Sequence, residues 1–539
     1  MGSLQTEDRQ WPSLPAKIFF FQSYPLIWSI GICWIAYQLL HIAWNISRFH
    51  PLAKIPGPRL AAATYWLEFY YDVVLFGRYT GRIERMHKEY GPIVRISPNE
   101  VHCNDFRFIE ETYALGGRKR DKPVHQVRGS DAAVGAIFST ADHDVHRMRR
   151  SALSKFFAHG QIARLEPKVE VLVRRLCDKI LAQGGGDPFD IADAYSCFSS
   201  DVISEYCFGE SFGFLIQDSW LPNFRGPLYS LIKPVYLFRF FPFLKQLSIV
   251  ASSISSLFSK ELALLIKTIT TDLPNRIQKI KDDRAAGMIR ETMFSSLLES
   301  DLPPDEKSIT RPTDEAAAML VAGSETVSWA LTVITYHLLS QPEKLERLAA
   351  ECRSLLLDPS SERLPGWSNL EQLSYLRAVI LEGLRLSYGV SSRSSRIAPD
   401  EDLVYRGEWT PPDSSTPVAV TYVVPRGYAV GMSSVLMHHD ETVFPLSHSF
   451  IPERWIDESK QPRKDLERYH LSFSRGSRAC LGINLASCEL YLVLAALAVR
   501  VLPHMHLFET TEEDIKYDHD VFTPATRLSS KGVQVLMRE

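Results

Sequence analysis

The stretch that most constrains this fold is Phe473-Ser474-Arg475-Gly476-Ser477-Arg478-Ala479-Cys480-Leu481-Gly482, which sets a single cysteine at the head of an apolar helical run from Leu481 to Val499. Gly476 permits a tight turn with φ > 0, and Cys480 follows where a helix start leaves N–H groups unpaired. Their partial positive charge, together with Arg475 and Arg478, is expected to lower the thiol pKa and favour a thiolate. Gly482, without a Cβ, would let a flat macrocycle lie against that helix. The plainer reading is that a lone cysteine in an intracellular protein is a small core residue. Against it, five fixed identities (Phe473, Gly476, Arg478, Cys480, Gly482) at about 5% background each would coincide by chance with a probability on the order of 10⁻⁴.

The segment resembles the signature of the cytochrome P450 superfamily of heme-thiolate monooxygenases, Phe-x-x-Gly-x-Arg-x-Cys-x-Gly, at every fixed position. The resemblance implies a mainly α fold with small β-sheets and a heme b (iron protoporphyrin IX) cofactor. It makes Cys480 the axial ligand of the heme iron, packs Phe473 near the sulfur and pairs Arg478 with a heme propionate. Electron donation from a thiolate favours O–O cleavage over reversible oxygen binding.

Glu382-Gly383-Leu384-Arg385 lies in a stretch of helical periodicity (Leu373, Leu376, Val379, Ile380, Leu384), with Glu382 and Arg385 on one face. Alone, such a pair reads as solvated and is worth a few tenths of a kcal/mol. Pro452-Glu453-Arg454-Trp455 changes the weighing, because the resemblance implies a buried triad of Glu382, Arg385 and Arg454 that holds the segment leading to the cysteine loop.

Ala322-Gly323-Ser324-Glu325-Thr326 sits inside a helical run from about Asp314 to Leu339 and resembles the family's long distal helix. Small residues at Ala322 and Gly323 would allow close approach to the heme face. A threonine or acid side chain can divert a backbone carbonyl and make room for water. Activating molecular oxygen consumes two protons, so Glu325 and Thr326 are read as a catalytic acid–alcohol pair. Val327 stands where the family often has a second hydroxyl. The bland alternative is a glycine in a core helix beside an exposed Glu-Thr.

For propionate anchoring, the resemblance points to His146 and Arg150, spaced i, i+4 on one helix face, with Arg396 as a further ligand. Arg147 and Arg149 would face outward and dock an acidic reductase. His438 and His439 are adjacent but have no partner cluster, and read as structural.

At 539 residues, 45% hydrophobic and 23% charged, the chain can bury a large core and shows no repeat. A net charge of −3 gives no general attraction to nucleic acid, and the eight cysteines are scattered as in a reduced compartment. From Ile18 to Ser47 no residue is formally charged, and Pro25 to Trp44 is long enough to cross about 30 Å of hydrocarbon. A cleaved signal peptide fits less well, since the apolar stretch is long and Glu7 and Asp8 precede it. Flanking charges suggest a single-pass anchor in the endoplasmic reticulum membrane with a cytosolic catalytic domain, which would leave the sequon Asn45-Ile46-Ser47 unused. The chain thus divides into a membrane anchor over residues 1–50, a proline-rich hinge over 51–60 and a catalytic domain over 61–539.

Short extended pieces are expected near Ile93 to Ile96, Leu403 to Tyr405 and Thr421 to Val424. The overall flavour resembles membrane-bound fungal enzymes of secondary metabolism. The resemblance places the substrate pocket along Lys122 to Thr140, Phe212 to Phe243, Val321, Val390 and Phe522-Thr523-Pro524. Aromatic residues there (Phe212, Phe214, Trp220, Phe224, Tyr229, Tyr236, Phe238, Phe240, Phe241, Phe243) argue for a hydrophobic small molecule delivered through membrane lipid, such as a terpenoid or polyketide; equally, they can be core or membrane-dipping surface. Only 57 residues follow Gly482, so electrons are expected from NADPH through a separate cytochrome reductase. The expected reaction inserts one atom of O₂ into a C–H bond. Two alternatives remain open. A heme-thiolate isomerase or dehydratase would not need Glu325 and Thr326, and a non-catalytic membrane-anchored lipid-binding protein would not need Cys480 or the triad.

Overall fold

The computed structural model describes residues 16–129, 135–245, 247, 259–288, 292–355 and 365–538. The principal helices in chain order are α1 (Ala16–Ile46), α2 (Trp66–Phe69, widening into a turn over Tyr70–Val74), α3 (Val124–Val127), α4 (His143–Ser154), α5 (His159–Leu181), α6 (Ile191–Phe208), α7 (Val235–Phe240), α8 (Thr310–Ser340), α9 (Ser374–Ser387) and α10 (Ile483–Arg500). The strands nearest the site are β1 (Ile93–Ser97), β2 (Glu100–Cys103), β3 (Arg396–Ile397), β4 (Leu403–Trp409), β5 (Val418–Val424), β6 (Ala429–Gly431), β7 (His519–Val521) and β8 (Thr523–Ala525). The architecture is mainly α with small sheets, as the sequence implied.

Helix α8 runs through the main hydrophobic core, and α5, α6, α9 and α10 pack into the same core. It begins a turn earlier than its periodicity suggested, because Arg311 pairs with Glu306 (3.0 Å) and Glu315 (2.6 Å) across the first turn. Its crossing with α6 is close and polar: Ser200 donates to Ser324 (2.8 Å), Ser328 to the Ala192 carbonyl (3.1 Å), and the Tyr195 and Thr335 hydroxyls bond at 2.7 Å. A Cβ on Gly323 would press into Ile203 of α6, so this glycine serves the helix crossing. Its expected role toward the heme face is corrected accordingly.

A four-stranded sheet runs in the order β1-β2-β6-β3, with β1 antiparallel to β2, β2 parallel to β6 and β3 antiparallel to β6. The hairpin β4–β5 is longer than expected, pairing from Leu403↔Val424 to Trp409↔Val418. A second cluster, including Ile93, Val101, Tyr405, Val430, Phe444 and Trp455, forms the core beneath these strands.

Among the described residues, three helices are long and apolar enough to cross a membrane, but α8 and α10 spend their apolar faces inside the domain. Helix α1 does not. Its 31 residues extend about 46 Å at 1.5 Å per residue, and Trp28, Ile32, Trp34, Tyr37, Leu40 and Trp44 are all exposed. Its last turn is clamped to the domain: Arg95 donates to the Asn45 carbonyl (3.0 Å), and the Asn45 amide donates to the Ala63 carbonyl (3.0 Å). Asn45 is therefore buried, and the sequon amide is sequestered. The expected hinge is docked as well, with Leu52 and Ile55 in the second core and the Pro56 carbonyl accepting from Arg95 N–H at 2.7 Å.

Candidate functional site

Gly476 has φ 75°, and a Cβ there would strike the Tyr113 carbonyl, so the turn before the cysteine is a glycine site both by conformation and by space. The loop closes through the Cys480 N–H, which donates to the Phe473 carbonyl at 2.9 Å. Gly482 is the residue before α10, and open space lies where its Cβ would be. Cys480 presents exposed surface, yet protein surrounds its thiol closely enough that burial raises its pKa, with the Gly482 N–H and Arg150 acting the other way. The sequence-based expectation of a thiol lowered by Arg475 and Arg478 is corrected: those guanidiniums go to the Glu467 carbonyl and to a loop seam, and Arg150 is the cation beside the sulfur.

Four basic residues expected around one group converge. Asp142 caps α4 by accepting from Val145 N–H (2.8 Å), and α4 then presents His146 and Arg150 on one side. Arg150 donates to the Ala479 carbonyl (2.8 Å). Arg478 donates to the carbonyls of Arg120 (2.9 Å), Thr140 (2.6 Å) and Ala141 (2.6 Å), which uses three of its five N–H groups. Arg396 is buried over the Tyr113 ring and donates to the Ser395 carbonyl (2.9 Å).

Lys122 joins this set. Sequence reasoning placed it only on a pocket loop, since one lysine in a polar stretch carries no local signal of burial. Burial, Arg396 and Arg478 push its amine well below the usual lysine range. Burial and Arg396 bring Arg478 down to about 10, and burial, Arg478, Lys122 and Arg150 hold His146 neutral with a pKa of about 2. Among the described residues no carboxylate forms an ion pair with Lys122, Arg396 or Arg478; Asp121 and Asp142 are engaged with the backbone N–H groups of His143 and Val145. Lys122 donates to the Phe138 carbonyl (2.6 Å), and the mutually repelling cations of this set favour an anion that no described carboxylate supplies through an ion pair.

Arg149 departs from expectation. It makes a two-point contact with Glu306 (2.7 and 2.9 Å) and donates to Thr140 (2.8 Å), so it braces α4 against the start of α8 and offers nothing to a docking partner. Arg147 is exposed.

On α8, Ala322 is exposed within a helix whose neighbours Leu320, Ser324 and Val327 are buried. The Thr326 hydroxyl donates to the Ala322 carbonyl at 2.8 Å. Glu325 does not pair with Thr326. Its carboxyl is buried with Oε2 unpartnered, and burial raises its pKa; Arg225 opposes that rise, while Asp193 and Asp190 add to it. Arg225 donates to Asp190 (2.6 Å) and Asp193 (3.3 Å) and had no sequence signal, lying far from Glu325 along the chain.

The triad forms as expected. Arg385 donates Nε and Nη2 to Glu382 (2.9 and 2.8 Å), and Arg454 donates to the same carboxylate at 3.1 Å. Trp455 Nε1 (2.8 Å) and the Ile451 N–H (2.9 Å) complete its shell, which the sequence did not reveal. Ser472 donates to the Leu384 carbonyl (2.7 Å), linking this helix directly to the cysteine loop. His438 is structural: its Nε2 accepts from Leu471 N–H (2.9 Å), so Nδ1 carries the proton and donates to the Arg385 carbonyl (2.8 Å). Phe212, Phe214 and Phe224 pack edge-on or tilted against one another as part of the main core, while Phe243 is exposed.

A comparison with family profiles matches residues 64–504 to the description "Cytochrome P450". The chain belongs to the cytochrome P450 family. This P450 is 40% identical over 471 residues, covering 85% of this chain and 97% of the relative, to cytochrome P450 monooxygenase ppzE of Metarhizium majus (strain ARSEF 297). It is 37% identical over 510 residues (91% and 94%) to cytochrome P450 monooxygenase MO6277 of Ascocoryne sarcoides. It is likewise 37% identical over 522 residues (94% and 97%) to tryptophan 6-hydroxylase fscE of Fusarium equiseti. It is a P450 monooxygenase, and the family implies a heme-thiolate iron cofactor. The chain fits that group: a cysteine at the head of α10 with exposed surface, open space beside Gly482, and a set of cations with which no described carboxylate forms an ion pair.

Proposed function

We propose that this P450 inserts one atom of O₂ into a C–H bond of a hydrophobic small molecule, of the terpenoid or polyketide kind, in fungal secondary metabolism. The observation that carries this reading is Cys480 at the head of α10, in a loop closed by its N–H on the Phe473 carbonyl, with Arg150 donating to the neighbouring Ala479 carbonyl and no described carboxylate forming an ion pair with Arg396 or Arg478. Cys480 would bind the heme iron, with Phe473, Gly476 and Gly482 shaping its loop. Lys122, His146, Arg150, Arg396 and Arg478 would hold the propionates, and the triad of Glu382, Arg385 and Arg454 would fix the frame. Bound there, heme b supplies an iron whose thiolate ligation favours O–O cleavage.

The protein's own part on the oxygen side is proton management. Thr326 presents a hydroxyl whose bond to the Ala322 carbonyl can be exchanged for water, and Ala322 leaves the adjoining space open. Glu325, made a better proton carrier by its raised pKa, takes protons from the side of Arg225 and Asp193. Exposed apolar α1 anchors the protein as a single pass in the endoplasmic reticulum membrane, with residues 61–539 cytosolic, 1–50 as anchor and 51–60 as the connection. Electrons come from NADPH through a separate reductase, and substrate enters from membrane lipid.

The test is a reduced carbon monoxide difference spectrum beside Cys480→Ala. A thiolate-type Soret band in the parent that disappears in the variant supports the assignment. A spectrum unchanged by the substitution overturns it.

A further inference from the structure

The consecutive charged residues from Arg118 to Lys122 would read as a solvated run, yet Arg120 within it is 1% exposed. Its guanidinium is taken up by protein oxygens. Nη1 donates to Glu401 (2.7 Å) and to the Lys119 carbonyl (2.7 Å), Nη2 donates to the Glu111 carbonyl (2.7 Å), and the Nε hydrogen is shared between the carbonyls of Glu111 (3.2 Å) and Thr112 (3.3 Å). Arg118 also donates to Glu401 (2.8 Å) and reaches the Glu111 carboxylate (2.5 Å). Unlike Arg396, Arg120 therefore has its carboxylate partner within the chain.

What these bonds fix is the backbone of residues 120–122. The Arg120 carbonyl accepts from Arg478 Nε (2.9 Å), and the Arg120 N–H donates to His143 Nδ1 (3.2 Å) at the start of α4. Asp121 pairs with Ile397 of β3 through two backbone bonds of 2.9 Å, next to Arg396, and its carboxylate accepts from the His143 N–H (2.7 Å). The Lys122 N–H donates to the Ala141 carbonyl (2.9 Å), an oxygen that also accepts from Arg478 Nη2 (2.6 Å). This short segment thus sets the register between Lys122 itself, Arg396, Arg478 and the helix that carries His146 and Arg150. The turn that receives Arg120 also backs the cysteine loop: the carbonyls of Glu111 and Thr112 accept from the guanidinium, and the next two, of Tyr113 and Ala114, are what a Cβ on Gly476 would strike.

We infer that Arg120 is a positioning residue for the cofactor site. Its own N–H groups stay on protein oxygens; it acts through its carbonyl on Arg478, and through the backbone of residues 120–122 on the other basic residues. Two properties suit an arginine to this task. Its planar fork reaches Glu401, on the connection between β3 and β4, and the carbonyls of Glu111 and Thr112 at the same time, which a single ammonium cannot span. Its charge is matched by Glu401, so it adds little repulsion to Lys122, Arg396 and Arg478.

The test is a double-mutant cycle with Arg478, read as the rate of heme transfer from the full-length protein to an excess of a heme-scavenging globin. Arg120→Lys is expected to quicken transfer about tenfold in the parent, or about 1.4 kcal/mol, and less than about twofold in an Arg478→Lys background, where the residue it positions is already lost. A general loss of stability would quicken transfer by the same factor in both backgrounds, so equal factors overturn the inference. Glu401→Gln removes one partly exposed partner and leaves the guanidinium in place; it should give the same pattern with about threefold in the parent, and it carries the test where Arg120→Lys retains no heme. The propionate bending bands in the resonance Raman spectrum of the ferric protein should move in Arg120→Lys in the same sense as in Arg478→Lys, and bands that keep their parental position in Arg120→Lys overturn the inference too. It rests on the heme reading: a parent without the thiolate-type spectrum overturns that reading, whereas a parent that has the spectrum and shows equal factors in both backgrounds overturns only the role of Arg120.

Discussion

Thr326 returns its hydroxyl hydrogen to the Ala322 carbonyl one turn back, at 2.8 Å, on the side of α8 where Ala322 lies open. Such a bond satisfies the hydroxyl in the resting protein without fixing it, because a water that enters the space can take either partner. Glu325, one residue earlier, points elsewhere, toward Arg225. The alcohol and the acid are therefore not bonded to each other, and the proposed proton path needs water between them.

Thr326→Ala is expected to lower product formed per NADPH consumed by about a hundredfold, the lower end for loss of positioned proton transfer, and to raise hydrogen peroxide release. Thr326→Ser should restore most of the coupling. Both are read in a reductase-reconstituted assay by quantifying product and peroxide together. Equal coupling in all three proteins would remove Thr326 from the proton path.

Arg385 places all five of its N–H donors: two on Glu382, and one each on the carbonyls of His438, Ser447 and Ser449. Lysine has three donors and no planar fork, so Arg385→Lys leaves buried carbonyls unpaired despite keeping the charge. A loss of about 3–5 kcal/mol is expected, seen as a lower denaturant midpoint and poor heme incorporation. Arg454→Lys should cost less, because Arg454 shares Glu382 with Arg385 and sends its other donors to the exposed-edge carbonyls of Pro445 and Leu446.

Legibility in the sequence followed the range of the interactions. Helices α8 and α10 were visible because their apolar positions recur locally, and Cys480, Arg478 and the triad because each lies in a compact motif. His146 and Arg150 could be placed by their i, i+4 spacing alone. Lys122, Arg225 and Glu68 could not: each is a single charged residue whose surroundings are set by partners well outside its own segment, Asp190 and Asp193 for Arg225 and Arg239 and Arg393 for Glu68. Gly323 shows the opposite error, since its motif suggested the heme face while the α6 crossing uses its missing Cβ. Arg149 was misread because a run of arginines resembles a solvated face until Glu306 is folded against it.

His87 and His102 form a buried pair, with His87 Nδ1 donating to the Gly91 carbonyl (2.8 Å) and Nε2 accepting from His102 Nδ1 (2.7 Å). Burial lowers His87 to about 4 and His102 well below its ordinary value. Between about pH 6.5 and 4 the unfolded chain therefore binds protons that the folded chain excludes, and stability falls as pH falls through that window. Asp72, raised by burial to about 7, works in the opposite direction but is common to parent and variant. His87→Gln should thus reduce the slope of unfolding free energy against pH by about 1.4 kcal/mol per unit. Denaturant titrations at several pH values measure it, and an identical slope in both proteins would mean that His87 is not held neutral.

Arg396 gives the sharpest contrast between a residue kept for the fold and one kept for a ligand. It is buried, burial lowers its pKa with only Tyr113 opposing, and its one hydrogen bond reaches the neighbouring Ser395 carbonyl. In the heme-free protein it is a cation near Lys122 and Arg478 with which no described carboxylate forms an ion pair, so Arg396→Met should raise stability by about 1–2 kcal/mol, as when buried charges give way to apolar residues of similar volume. In the heme-loaded protein the sign reverses: one charge-assisted bond to a propionate is lost, and heme dissociation should quicken about tenfold, or about 1.4 kcal/mol. Thermal unfolding of the heme-free form and heme transfer to an excess of a heme-scavenging globin separate the two effects. If the variant destabilises both forms, Arg396 holds the β3 region of the sheet instead of the cofactor.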